Sequence, residues 1–240
     1  MFERPWHRTV YKALEALNTR LLRDTCCYFG GGTRIVMELG EYRESLDIDL
    51  LCADSAGYRR LRSEISESSL GAILGKPLAL AREVRADRYG IRTFFQIDDS
   101  KVKFEIVLEG RISLGGEELL ILPLFCLDRT SCFAEKLLAN ADRWADRGVL
   151  SRDLIDLAFM RAAWGKIPDK AFVCACRAYG DVVTRSLCSA LDLFITHETH
   201  RNHCLTSMDI HDEITLQRGI RLLREEHCDV YQIPLGGDKG

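Results

Sequence analysis

Long apolar runs are missing from this chain: none of its 240 residues falls in a segment with the ~18 consecutive uncharged apolar residues that a membrane-spanning helix needs. The N-terminal MFERPWHR carries no apolar core of the kind found in a secretory leader, so the expected location is cytoplasmic. Internal repeats, low-complexity tracts and heptad runs are also missing, which excludes solenoids and coiled coils. Ten cysteines occur, yet there is no C-x-x-C pair and no H-x₃-H with a matching cysteine pair, so a zinc module is not expected. The P-loop signature G-x-x-x-x-G-K-[ST] is absent too; any cation for phosphate must come from elsewhere in the chain. Excess basic charge is lacking, with 33 Lys and Arg against 36 Asp and Glu, for a formal net charge of −3. That argues against a nonspecific polyanion binder while leaving room for a local basic surface.

What is present suits an ordinary globular core: 47% of the residues are apolar. The cysteines are scattered through apparent strands and helices and read as reduced, mostly buried thiols. His197, His200, His203 and Cys204 cluster in sequence and read as a polar helix end. Apolar residues at Val10, Leu14, Leu17 and Leu21 predict one amphipathic helix from about Arg8 to Arg23. Tyr58, Leu61 and Ile65 give the next helix its stripe, with Arg59, Arg60 and Arg62 on it as a solvated face or, less expected, an RNA contact. Strands are predicted at 78–84, 91–97 and 102–108, then a hairpin of 112–114 and 119–122 about a Gly115-Gly116 turn, with Pro123 closing the sheet. From Leu127 the pattern is helical: Asp128 caps one helix, Gly148 breaks the run, a second ends at Trp164, and further helices cover 171–179 and 182–194. The tail 235–240 is expected to be disordered.

The informative stretch is YFGGGTRIVMELGEYRESLDIDLLC, residues 28–52. A short strand enters three glycines, a short helix opens near Thr33, and a second strand carries Asp47-Ile48-Asp49. Alternation along a strand puts Asp47 and Asp49 on one face, about 7 Å apart. Two carboxylates so held suit a pair of Mg²⁺ ions (Mn²⁺ as a substitute) at the roughly 4 Å separation of two-metal phosphoryl or nucleotidyl transfer. Glycine backbone at Gly31 and Gly32, with Thr33 behind a helix N-terminus, suits phosphate oxygens. Either element alone would be weak evidence; their combination with thirteen residues between Thr33 and Asp47 points to metal-and-phosphate chemistry. On the strand 102–108, Glu105 shares a face with Lys103, and the pattern alone leaves it open whether Glu105 is a third carboxylate or only the partner of Lys103.

GGT followed by R-x-S-x-D-I-D, with Arg43, Ser45, Asp47, Ile48 and Asp49, resembles the AbiEii/AbiGii branch of the polymerase-beta-like nucleotidyltransferases. AEKLLANADRW followed by RDLIDL is similar to the same family's second element, matching Lys136, Arg143, Arg152, Asp153 and Asp156, with Arg147 as a substitute for Arg143. The resemblance spans about residues 28–160. It implies an α/β (α+β) nucleotidyltransferase fold with a small mixed, largely antiparallel sheet over residues 1–125, and a helical region over 126–240 that completes the cleft.

It also implies roles. Asp47, Asp49 and Glu105 would be the metal ligands, with Glu105 completing the triad; Lys136 and Asp153 would join them in catalysis. Gly31, Gly32, Thr33, Arg43, Ser45, Lys136 and Arg152 would bind the nucleotide. Lys136, taken as an exposed lysine, would contribute little to folding. The implied activity is Mg²⁺-dependent transfer of a nucleoside monophosphate from an NTP to RNA, with tRNA foremost. The setting would be a toxin-antitoxin or abortive-infection system, with a cognate antitoxin as partner and no membrane. The alternatives are a noncatalytic nucleotide-binding or interaction module, which would be expected to lose a carboxylate that is retained here, and a nucleotidyltransferase for small molecules such as antibiotics.

Overall fold

The computed structural model describes residues 2–228. The expected disorder of 235–240 lies outside them. Helix α1 (Pro5–Glu15) starts on a proline whose missing N–H costs nothing at a helix N-terminus, and it buries Val10, Ala13 and Leu14. It does not run on to Arg23 as its periodicity suggested. The amides of Gly75 and Lys76 both donate to the Ala16 carbonyl, and Asn18 N–H donates to the Ile73 carbonyl. Asn18 then starts a new helix, α2 (Thr19–Asp24), its Oδ1 accepting from the Leu21 amide at 3.1 Å. A cap-forming side chain and three tertiary backbone bonds thus outweigh the helical period.

Strand β1 (Cys27–Gly30) leads directly into α3 (Gly31–Glu38), then β2 (Ile48–Cys52) and α4 (Ser55–Ser63). Asp54 caps α4 by accepting from the Gly57 amide at 2.6 Å, and Arg59, Arg60 and Arg62 of α4 are solvent-exposed. The run 78–84 is not one strand: β3 (Ala79–Leu80) and β4 (Arg85–Ala86) lie one after the other along the same edge of β5 (Gly90–Ile97), because Val84 turns to bond the Glu67 carbonyl. Strand β6 (Ser100–Leu108) follows. The expected hairpin about Gly115-Gly116 is replaced by β7 (Gly116–Glu118) paired with β8 (Phe125–Leu127). The glycines there permit close approach rather than a turn, since a Cβ on Gly115 would sit 2.2 Å from Asp128 Oδ2. Pro123 accordingly precedes the last strand instead of closing the sheet.

The eight strands form one mixed sheet in the order β3-β5-β6-β2-β1-β8-β7, with β4 beside β5. Among the described residues, β2/β6 and β1/β8 are the parallel pairs. Helices α5 (Arg129–Arg143), α6 (Arg152–Trp164), α7 (Asp169–Tyr179), α8 (Val182–Thr196), α9 (Glu198–Ser207) and α10 (Glu213–His227) follow. Asp128 caps α5 as expected, through the Ser131 amide. β8 straddles the 125/126 boundary. One core contains Leu51 and Leu127 of the sheet together with the apolar faces of α5 to α10. A second core lies on the opposite face, where Phe95, Phe104 and Ile106 meet α1, α2 and α4.

One cysteine expectation fails: Cys188 of α8 and Cys228 beyond α10 form a disulfide, and the other eight are free thiols. His200 is buried with its Nε2 2.9 Å from Ser151 Oγ, and no group of three His, Cys, Asp or Glu is placed to hold a metal among the described residues.

The α1–α2 break gives a direct test. Asn18→Ala removes the cap and the Nδ2 bond to the Ala72 carbonyl, and should cost about 1 kcal/mol, read as a lower urea midpoint with an unchanged slope.

Candidate active site

The three glycines answer to three separate steric demands. A Cβ on Gly30 would lie 2.5 Å from Leu51 Cδ1. Gly31 has φ +67°, the left-handed region, and a Cβ there would strike Asp49 Oδ2 at 2.5 Å. On Gly32 it would come 2.2 Å from Arg43 Nη2. The first turn of α3 therefore lies against the second aspartate and the motif arginine, which is why glycine, aspartate and arginine must occur together.

Thr33 and Ser45 act inside the same unit. Thr33 Oγ1 donates to the Asp47 carbonyl at 2.6 Å and lies 2.8 Å from Ser45 Oγ. The Ser45 amide donates to His7 Nε2 at 3.3 Å, and the other nitrogen of that buried ring is 2.7 Å from Glu41 Oε1. These bonds hold the loop between α3 and β2, and so fix Asp47 just ahead of the strand. Thr33 is buried and is not in the cavity wall; the expectation that it binds phosphate is replaced by this staple.

Asp49 and Glu105 are register partners on the parallel strands β2 and β6, and their side chains share a face. They line, with Asp47, a cavity of about 310 Å³ between the sheet and α5. Gly31, Gly32, Arg43, Ser45, Lys136 and Arg152 line it too, so nine of the eleven expected site residues meet there; Thr33 and Asp153 do not. Burial, opposed by Lys103 and reinforced by the charges of Asp47 and Glu105, pushes the Asp49 carboxyl up. A cation held by Asp47 and Asp49 would relieve that.

Glu105 fits a metal less well. Its Oε1 accepts from Arg92 Nε at 2.5 Å and its Oε2 from Lys103 Nζ at 2.9 Å. Burial would raise this carboxyl, but Lys103 and then Arg92 more than offset it and hold it below its ordinary range. Both oxygens are thus engaged, and the three carboxylates do not close on one point. Of the two readings that the strand pattern left open, the pairing with Lys103 is present, and Glu105 also faces the cavity.

The opposite wall is basic. Arg43 grips Asp156 of α6 through two bonds, Nε to Oδ1 at 2.7 Å and Nη2 to Oδ2 at 2.9 Å, and Tyr42 Oη donates to the same Oδ1 at 2.6 Å. Lys136 reaches Asp156 Oδ2 at 2.6 Å and Asp153 Oδ1 at 2.9 Å. Arg143 completes the chain on Asp153 at 2.6 and 3.0 Å. Lys136 is 6% exposed, which overturns its reading as a surface lysine. Asp153 is an orienting partner of Lys136 and Arg143 instead of a group at the cavity. Arg143 lines the cavity, whereas Arg147 does not. Arg152 is the cavity-lining cation that makes no ion pair among the described residues.

The far end of the cavity was missed. Glu109 and Arg111 pair at 2.6 Å beyond β6, and Glu135 of α5 joins them at 3.4 Å. Burial, then the charge of Glu109, pushes the Glu135 carboxyl up to about 8. Glu135 precedes Lys136 in the matched element, which was the available signal; nothing in the sequence linked it to Glu109.

The ion chain sets an acid limit. Burial alone would raise Asp153 and Asp156, but Lys136 with Arg143, and Arg43 with Lys136, hold them below the usual carboxylate range. Their stabilisation is complete above about pH 4, the unfolded value, and is lost as pH falls through the folded values. Thermal melts from pH 5 to pH 2 should show a steep loss that is shallower in Asp153→Asn. Lys136→Ala, which leaves two buried carboxylates short of a partner, should cost about 3 kcal/mol by urea denaturation.

The family description "Nucleotidyl transferase AbiEii toxin, Type IV TA system" matches residues 12–221. Among solved structures, the chain is similar to a protein from H. pylori described as a candidate nucleotidyltransferase, with 14% identity, TM-score 0.52, and coverage of 92% of this chain and 94% of that one. It is also similar to JHP933 from Helicobacter pylori, with 14% identity, TM-score 0.50 and 94% of each chain covered. These two likenesses concern the fold. No curated protein matches the sequence.

Proposed function

We propose, from the premise that this chain belongs to the AbiEii nucleotidyl transferase toxin family, that it moves a nucleoside monophosphate from an NTP to an RNA acceptor, with tRNA foremost. It is a nucleotidyltransferase of a type IV toxin-antitoxin family, which implies an antitoxin partner. Among the described residues no helix is long and apolar enough to cross a membrane. The observation that carries the reading is one cavity in which Asp47, Asp49 and Glu105, with Lys103 among them, face Arg43, Lys136, Arg143 and Arg152, with Glu135 beside Lys136.

That arrangement suits a triphosphate lying between a cation on the aspartates and the basic wall. Asp47 and Asp49 would hold a Mg²⁺ ion. Bound there, the ion would neutralise phosphate charge and acidify an acceptor hydroxyl. A second ion with Glu105 has less support, because Lys103 and Arg92 already occupy both of its oxygens. Lys103 supplies positive charge beside Asp49 instead. The backbone of Gly31 and Gly32 would face phosphate oxygens. Arg152, with no carboxylate partner among the described residues, is the first choice to bind them, whereas Lys136 and Arg143 act from fixed positions. A fixed array of this kind stabilises charge without reorganising.

Incubation with each labelled NTP, Mg²⁺ and total RNA should move label into RNA. Chelation by EDTA should stop it. Asp47→Asn and Asp49→Asn should lower transfer by at least about 100-fold with the circular dichroism unchanged. Arg152→Ala should raise KM for the NTP with little change in the melting temperature, since the residue has no ion partner to lose. Undiminished transfer by folded Asp49→Asn would overturn the assignment, and label entering only small molecules would move the acceptor to that class.

A further inference from the structure

One half of the sheet has its cavity-side face uncovered. On β5 and β6 the residues of one face, Ile91, Phe95, Val102, Phe104 and Ile106 among them, are buried against α1 and its neighbours. The other face presents Arg92, Phe94, Lys101 and Lys103, all partly or fully exposed. Phe94 belongs to neither core, and Arg82 stacks over its ring at 4.8 Å.

Register places this face in line with the active site. Asp49 pairs with Glu105, Glu105 with Arg92, and Arg92 with Arg85. Cross-strand partners share a face, so these four side chains form one row across four strands. At the usual strand spacing it runs about 14 Å from the aspartate to the sheet edge. In the adjacent row Lys103 is opposite Phe94, and in the next Lys101 is opposite Gln96. Arg85 stands directly opposite Arg92, whose own charge is met by Glu105 and Asp87, and no ion pair is formed by Arg85 among the described residues.

We infer that this open face is the docking surface for the single-stranded end of the acceptor RNA, with a base stacked on Phe94 and backbone phosphates on Arg82, Arg85, Arg92, Lys101 and Lys103. The inference rests on the nucleotidyltransferase reading and names where its acceptor lies. Charge complementarity selects the occupant: the chain carries a formal net charge of −3, yet residues 82–105 hold six Lys and Arg (82, 85, 88, 92, 101, 103) against five acids (83, 87, 98, 99, 105), a balance of +1. An aromatic ring among cations on an exposed strand suits a strand of unpaired bases, because every base offers a π-face. The row ends at Asp49, so an RNA bound along it delivers its terminus to the carboxylates.

The test is fluorescence anisotropy of a short labelled single-stranded RNA over a series of salt concentrations, with a duplex of the same length as comparison. Neither Phe94, Arg85 nor Lys101 lines the catalytic cavity, so NTP affinity serves as the internal control. Phe94→Ala should weaken single-strand binding about tenfold, and Phe94→Leu, which keeps the apolar bulk, should weaken it nearly as much. Arg85→Glu with Lys101→Glu should weaken it further and flatten the slope of log K against log salt by about 0.7 for each phosphate no longer neutralised. NTP affinity should stay within about twofold of wild type in every variant. Single-strand affinity unchanged in all variants, or a preference for duplex, would overturn the surface. Loss of NTP binding by the wild-type protein would instead overturn the nucleotidyltransferase reading, while the RNA titration still decides the platform.

Discussion

The buried chain of charges from Arg43 through Asp156, Lys136 and Asp153 to Arg143 is what the arrangement of the two halves depends on. Each ion taken from water costs several kcal/mol, and only dense bonding offsets it. Asp156 receives Tyr42, both arms of Arg43 and Lys136; Asp153 receives Lys136 and both arms of Arg143. A shift of α5 or α6 against α3 by a fraction of an ångström would strand at least one carboxylate. The chain therefore fixes position more than it adds stability, and three of its cations end in the cavity wall.

Packing around α3 depends on that constraint. Arg43 can reach Asp156 only across Gly32, where no side chain fits, and Asp49 can lie under the first turn of α3 only because Gly31 is bare. The loop from Leu39 to Asp47 must then be tied down, and Thr33, Ser45 and His7 do so. The motif is a set of mutually required contacts that leaves Gly31 and Gly32 in the cavity wall.

Legibility in the sequence followed the range of the interactions. The strand period of two put Asp47 and Asp49 on one face, and Glu105 with Lys103, without any tertiary information. The pairing of β2 with β6 that sets Asp49 beside Glu105 joins residues 56 apart, and no local pattern encodes it. The burial of Lys136 was missed for the same reason: helical periodicity put it at the margin of the apolar stripe, and its partners are 17 and 20 positions away on α6. Asn18 and the Gly115-Gly116 pair failed differently. A cap residue can stop one helix and start another, and glycine can serve close packing as readily as a turn.

Charge in the cavity is balanced before any ligand arrives. Lys103 lies across the acidic wall, bonded to Glu105 and offsetting part of the burial that still pushes the Asp49 carboxyl up. Its own ammonium is favoured by Glu105, Asp49 and Asp47 in spite of desolvation. This compensation lessens the repulsion among three neighbouring carboxylates and ties up Glu105. Lys103 also stands opposite Phe94 in the β5/β6 register, so the cation that balances the acidic wall sits where the cavity meets the exposed half of the sheet.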